Sequence, residues 1–179
     1  MIIDFHTHMF PDKIAARTID FLSKTGGDMN PFTDGTWKGL KESTKQAGID
    51  HSIVLPIATR PGQFHTINEF ATHFQEGTLI SFGSLHPESE NYKEELKQIQ
   101  DMGMKGIKLH PDYQDTYFND IRYKRIISYA TELGLIISVH AGQDPKCPDN
   151  IHCTPAMAEE VLNEVEPEKL VLAHMGGNE

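Results

Sequence analysis

His6 and His8 stand two apart in Ile2-Ile3-Asp4-Phe5-His6-Thr7-His8. In an extended strand alternate side chains share a face, so both imidazoles project the same way, with Asp4 and Ile2 beneath them. Two imidazoles converging from one strand end form part of a site for Zn²⁺ or a similar divalent ion. Asp4, on the same face, is placed to orient a ligand from behind. Alone, His-x-His is short and also describes two solvated histidines. Two further apolar runs end in the same residue type: Leu135-Ile136-Ile137-Ser138-Val139-His140 and Leu170-Val171-Leu172-Ala173-His174. By parity Ser138 and His140 share a face, as do Leu172 and His174. Histidines ending three separate strands point to one shared metal site.

A fourth run, Met104-Lys105-Gly106-Ile107-Lys108-Leu109-His110-Pro111, puts Gly106, Lys108 and His110 on one face. Lys108 there faces the site as a polar or substrate-contacting group. Carbamylated, it could bridge two ions; alternatively it snorkels out at a rim. His110 and His86, each followed by proline, are candidates to line a substrate pocket or are simple loop histidines. His51, His65 and His73 fall at a strand start or on helices and read as surface residues. Cys147 and Cys153 with His152 lack a zinc-finger spacing and read as a loop on the substrate side. Trp37, with Phe32, is expected to pack the first long loop.

These residues need elements to place them. Apolar runs at 2–6, 52–55, 79–85, 104–110, 135–140 and 170–174 read as buried strands of a parallel sheet. Helices are expected at 12–24, 36–47, 64–75, 88–102, 120–133 and 155–165, with an irregular loop after the first. Gly48, Gly77, Gly103 and Gly134 are expected left-handed past four of them, and Thr154-Pro155 caps the last. The rhythm is (βα)₅β in a single domain over residues 1–179, doubly wound or a barrel. No glycine fingerprint follows the first strand, which disfavours a dinucleotide fold. The 179 residues carry 26 acidic and 16 basic side chains, a formal charge of −10. That balance argues against nucleic-acid or membrane partners and leaves a small-molecule substrate, with a homo-oligomer allowed. No basic-then-apolar leader and no disulfide scaffold is visible, so the cytoplasm is the expected compartment.

With Ile3-Asp4-Phe5-His6-Thr7-His8 and Phe10-Pro11, Gly106-Ile107-Lys108-Leu109-His110-Pro111, Val139-His140-Ala141-Gly142 and Leu172-Ala173-His174-Met175-Gly176-Gly177 in this order, the chain resembles the amidohydrolase superfamily. More narrowly it resembles the branch that includes aminocarboxymuconate semialdehyde decarboxylase. The resemblance implies a metal-dependent (β/α)₈ TIM-barrel enzyme, here with about six βα units. It implies His6, His8 and His140 as ligands of a divalent ion, Zn²⁺ first and Mn²⁺ as the alternative. His174 is implied to act on substrate beside the metal in a mononuclear site, or to bind a second ion in a binuclear one. The implied chemistry is hydrolysis of an amide, lactone or ester, or non-oxidative decarboxylation. The resemblance also carries an aspartate ending an eighth strand, which this sequence lacks. The expectation is therefore a fragment, inactive alone, with open sheet edges prone to self-association. Two other readings stay open: a TatD-like or histidinol-phosphatase-like metal phosphoesterase, and a catalytically inert partial barrel.

Overall fold

The computed structural model describes residues 1–26, 30–75 and 77–177. Part of the irregular loop expected after the first helix, at residues 27–29, lies outside the described residues. The elements run β1 (Ile3–Thr7), α1 (Asp12–Thr25), α2 (Trp37–Gln46), β2 (His51–Val54), α3 (Phe64–His73), β3 (Leu79–Ser81), β4 (Gly83–Ser84), α4 (Tyr92–Asp101), β5 (Gly106–Leu109), α5 (Ile121–Glu132), β6 (Ile136–Val139), α6 (Pro155–Val165) and β7 (Leu170–Leu172). A 3-10 turn at Ala173–Gly176 follows β7.

All strand pairs are parallel, ordered β1-β2-β3 and β4-β5-β6-β7. β3 and β4 form one strand in two steps: Ile80 and Ser81 pair with β2, while Gly83 and Ser84 pair with β5. Phe82 sits at the step, its N–H donating to the Val54 carbonyl at 2.9 Å. Strand order therefore follows chain order with no reversal. A doubly wound sheet must reverse at its switch point, so this is the barrel-type winding. The turn after the last strand comes back to the first strand: the His6 and His174 rings lie 4.9 Å apart.

The main core lies between β4–β7 and helices α4–α6, with Leu96, Ile99, Ile107, Ile126, Ile137 and Val161 fully buried. Smaller clusters, around Val54 and Leu79 and around Ile53 and Phe82, back β1–β3. Gly106 is required by close packing: a Cβ there would collide with the Ile136 carbonyl oxygen and the Phe82 ring. The helix ends follow the sequence. Gly48, Gly77, Gly103 and Gly134 all have positive φ, and the Thr154 side chain accepts from the Met157 N–H.

Three expectations are corrected. The fourth helix starts at Tyr92, not at 88, because the Ser89 N–H closes a turn onto the His86 carbonyl after Pro87. The last strand ends at Leu172, so His174 lies on the following turn and strand parity does not place it. Trp37 stacks on Phe74 at 5.3 Å, whereas Phe32 is 99% exposed and has no ring partner among the described residues. Among the described residues no helix is long and apolar enough to cross a membrane.

Candidate metal centre

The β1–β2 register slips between Asp4 and Thr7, which pair with Ser52 and Val54: three residues of β1 advance against two of β2. Such a bulge re-aims side chains beside a site. Asp4 closes it, its Oδ1 accepting from the His6 backbone N–H at 3.1 Å. Asp4 thus holds the strand that carries the histidines rather than an imidazole ring. Thr7 pins the strand from the other side, its hydroxyl donating to the Ile53 carbonyl at 2.8 Å. The Nε2 atoms of His6 and His8 then face each other at 3.1 Å. His8 Nδ1 sits 2.8 Å from the Leu55 carbonyl. A carbonyl only accepts, so Nδ1 carries the proton and Nε2 keeps its lone pair.

β6 delivers His140. Its Nδ1 lies 3.1 Å from His174 Nε2, and its ring is 4.7 Å from that of His174. His174 reaches this place through left-handed backbone: His174 and Met175 both have φ of 56°. Two adjacent non-glycine residues in this region each cost of order 1–3 kcal/mol. The glycines that follow have a packing reason, since a Cβ on Gly177 would lie 2.6 Å from the Gly142 Cα. The segments after β6 and β7 thus meet backbone to backbone.

Lys108 sits in one layer with Ser84 and Ser138, its partners in register on either side. It is fully buried and its Nζ has no hydrogen-bond partner, so it does not snorkel to a rim. Burial pushes its ammonium down to about 7. Burial, and then the charge of Lys108, holds His6 down to about 2 and His8 to about 4. Burial, then His174 and Lys108, holds His140 to about 3. These imidazoles are neutral, the form in which histidine binds a metal.

The other ring edge of His140 looks into a different environment. His140 stacks on His110 at 4.1 Å, and His110 on Tyr113 at 3.9 Å. His140 Nε2 lies 3.6 Å from Asp144 Oδ2 and 3.9 Å from Asp112 Oδ2, and His110 Nε2 lies 3.8 Å from Asp144 Oδ2. Among the described residues, His110, His140 and Asp144 are the compact metal-capable triple, their ligand atoms all within 4.8 Å of one another. His110 is fixed by Gln114, whose Oε1 accepts from the His110 N–H while its Nε2 donates to the Ala58 and Leu85 carbonyls.

The structure thus brings together His6, His8, His140 and His174, with Lys108 as their electrostatic neighbour, and puts His110 behind His140. His86 is buried elsewhere in character: its Nδ1 accepts from the Glu88 N–H, and its charged neighbours are Glu88 and Arg122. Asp112, Asp144 and Gln114 were not legible as site residues; they lie in loops, where no periodicity marks a face.

A divalent ion suits the chemistry of a second donor set, although its nitrogens are less closely gathered than the atoms of His110, His140 and Asp144. His8 Nε2 is a fixed lone pair, His6 Nε2 adjoins it, and His140 Nδ1 opens toward His174, whose ring touches that of His6. Three neutral imidazoles of this kind leave room for substrate, as catalytic sites require.

The family model described as Amidohydrolase matches residues 3–179. No curated protein matches the chain. Among solved structures, the apo form of IDCase from Metarhizium anisopliae aligns with a TM-score of 0.69 at 16% identity, over 98% of this chain and 65% of that one. A probable 2-pyrone-4,6-dicarboxylic acid hydrolase from Acinetobacter baumannii, with citric acid bound, aligns at 0.60 and 15% identity, over 98% and 58%. A 5-carboxyvanillate decarboxylase from Novosphingobium aromaticivorans, with bound manganese, aligns at 0.59 and 14% identity, over 84% and 53%. The chain spans roughly three fifths of the length of the first two. At these identities the structures speak for the fold, and the family model carries the assignment: the chain belongs to the amidohydrolase family.

Proposed function

We propose that His6, His8 and His140 hold one divalent ion and that the protein acts on a small substrate bearing a carbonyl and a carboxylate. The 3.1 Å pairing of His6 Nε2 with His8 Nε2, and of His140 Nδ1 with His174 Nε2, whose ring lies 4.9 Å from that of His6, carries this reading. When bound, the ion polarises a carbonyl or carboxylate oxygen and acidifies water. Zn²⁺ suits an imidazole set, and the manganese in the decarboxylase neighbour makes Mn²⁺ the alternative.

The chain's own groups supply the rest. The Leu55 carbonyl fixes the His8 tautomer, and the neutral state of His6, His8 and His140 keeps their lone pairs available. His174, exposed beside them, gives or takes a proton at the substrate. Lys108, whose buried Nζ has no hydrogen-bond partner among the described residues, pairs with the substrate carboxylate, which is why we favour an acid substrate over a neutral amide. Hydrolysis of a lactone or ester and decarboxylation both use this arrangement. The TatD-like reading loses ground because Lys108 stands on β5 where it wants a glutamate.

Metal content and turnover of carboxylated lactones and aromatic acids test the proposal together. The unsubstituted chain retains Zn²⁺ or Mn²⁺ after dialysis, and the His6→Ala, His8→Ala double variant does not. Equal retention by both proteins overturns the reading, and retention without turnover in any form of the protein favours the inert alternative.

A further inference from the structure

His140 has two ring nitrogens and a single task for each. Nδ1 faces the imidazoles of the proposed centre, and Nε2 is buried without a hydrogen-bond partner. Two carboxylates are turned toward that Nε2, each anchored through its other oxygen. Asp112 Oδ1 is 3.0 Å from His152 Nδ1, which leaves Asp112 Oδ2, also unpartnered, 3.9 Å from His140 Nε2. Asp144 Oδ1 accepts from the Lys146 backbone N–H at 2.8 Å, leaving its Oδ2 3.6 Å from His140 Nε2. His110 presents its own Nε2 to Asp144 Oδ2 at 3.8 Å, while its Nδ1 accepts from the Tyr113 N–H. All four side chains are at least nine-tenths buried.

A bare imidazole nitrogen facing two buried carboxylate oxygens would set lone pair against lone pair; an N–H resolves this. Resting on the metal reading above, we infer that Asp144 and Asp112 are positioning residues that keep the proton of His140 on Nε2 and so hold Nδ1 bare toward the metal centre. The loop carrying Asp144 and His152 thereby sets the ligand state of a strand residue it follows. His110 stacks on His140 and shares Asp144 Oδ2, which keeps the two rings parallel, 10° apart. The same geometry disfavours a second ion among His110, His140 and Asp144: a protonated Nε2 is not a ligand.

The test is ring ¹⁵N NMR of histidine-labelled, metal-free protein, with His140 assigned by its loss in His140→Gln. The unsubstituted chain shows a single neutral tautomer protonated at Nε2, and Asp144→Asn combined with Asp112→Asn gives a mixture. Ion affinity of the double variant falls about 10–100-fold, the usual cost of losing such a partner. A His140 proton on Nδ1 in the unsubstituted chain overturns the inference whether or not the variants fold, and so does an unchanged tautomer in a folded double variant. If the Nε2 tautomer is found but no ion binds, the inference stands and the metal reading fails.

Discussion

The two edges of one imidazole make the most instructive comparison in this molecule. On its Nδ1 edge His140 meets His174, with His6 and His8 beyond, an array of neutral nitrogen donors and a buried lysine. On its Nε2 edge it meets Asp144 and Asp112, fixed in turn by a backbone N–H and by His152. The first edge has donors and no anion; the second has anions and no free lone pair on the ring. A buried histidine becomes a directed ligand when its surroundings differ this sharply from one side to the other, because the proton then has one stable position.

The largest expected effect comes from removing the ring that joins the two edges. His140→Ala abolishes retention of Zn²⁺ or Mn²⁺ after dialysis, as measured by elemental analysis, and retention at the unsubstituted level would show that the ion sits elsewhere. Asp144→Asn alone, which touches one edge, lowers ion affinity by about tenfold or more. Titration calorimetry reads this, and an unchanged affinity would mean that the two edges are uncoupled.

Acid separates the edges in another way. His6, His8 and His140 are held to about 2, 4 and 3 in the fold, against about 6.5 in an unfolded chain. Below that value the unfolded state binds protons that the folded state refuses, so stability present at pH 7 is lost as pH falls from about 6.5 toward 4. Urea midpoints of the ion-free protein at pH 7 and pH 5 check the sign; a flat or rising profile toward acid contradicts it. Of smaller size is Lys108→Met. Removing an unpaired buried ammonium of similar length raises stability by about 1–2 kcal/mol, while weakening binding of carboxylate substrates. Destabilisation would show that Lys108 has a structural partner.

The strand-end histidines were legible because β1 and β6 expose their pattern directly: an apolar run, then a histidine, then a turn. Lys108 was legible as a residue facing the site but not as fully buried, since a sequence does not show that Ser84 and Ser138 flank it in register. The β1 bulge escaped because Asp4, His6 and His8 keep their spacing whether or not the strand slips. His174 was found by type and misplaced by parity; its ring arrives through left-handed backbone that no alternation rule describes. Asp112, Asp144 and Gln114 lie in irregular segments just after β5 and β6, where no periodicity marks a face; Asp144 and Gln114 turn back onto histidines four residues before them, and Asp112 meets His140 only through folding. Phe32 shows the converse: an aromatic in a loop suggests packing, but the hydrophobic effect acts only where a surface lies opposite, and Trp37 stacks on Phe74 while Phe32 stays exposed.

The account turns on which edge of His140 holds the ion, and one measurement decides it. Crystals soaked in Zn²⁺, with data collected on both sides of the zinc absorption edge, locate the ion by its anomalous difference. The account expects one peak bounded by His6 Nε2, His8 Nε2 and His140 Nδ1. A peak among His110, His140 Nε2 and Asp144 instead would contradict it.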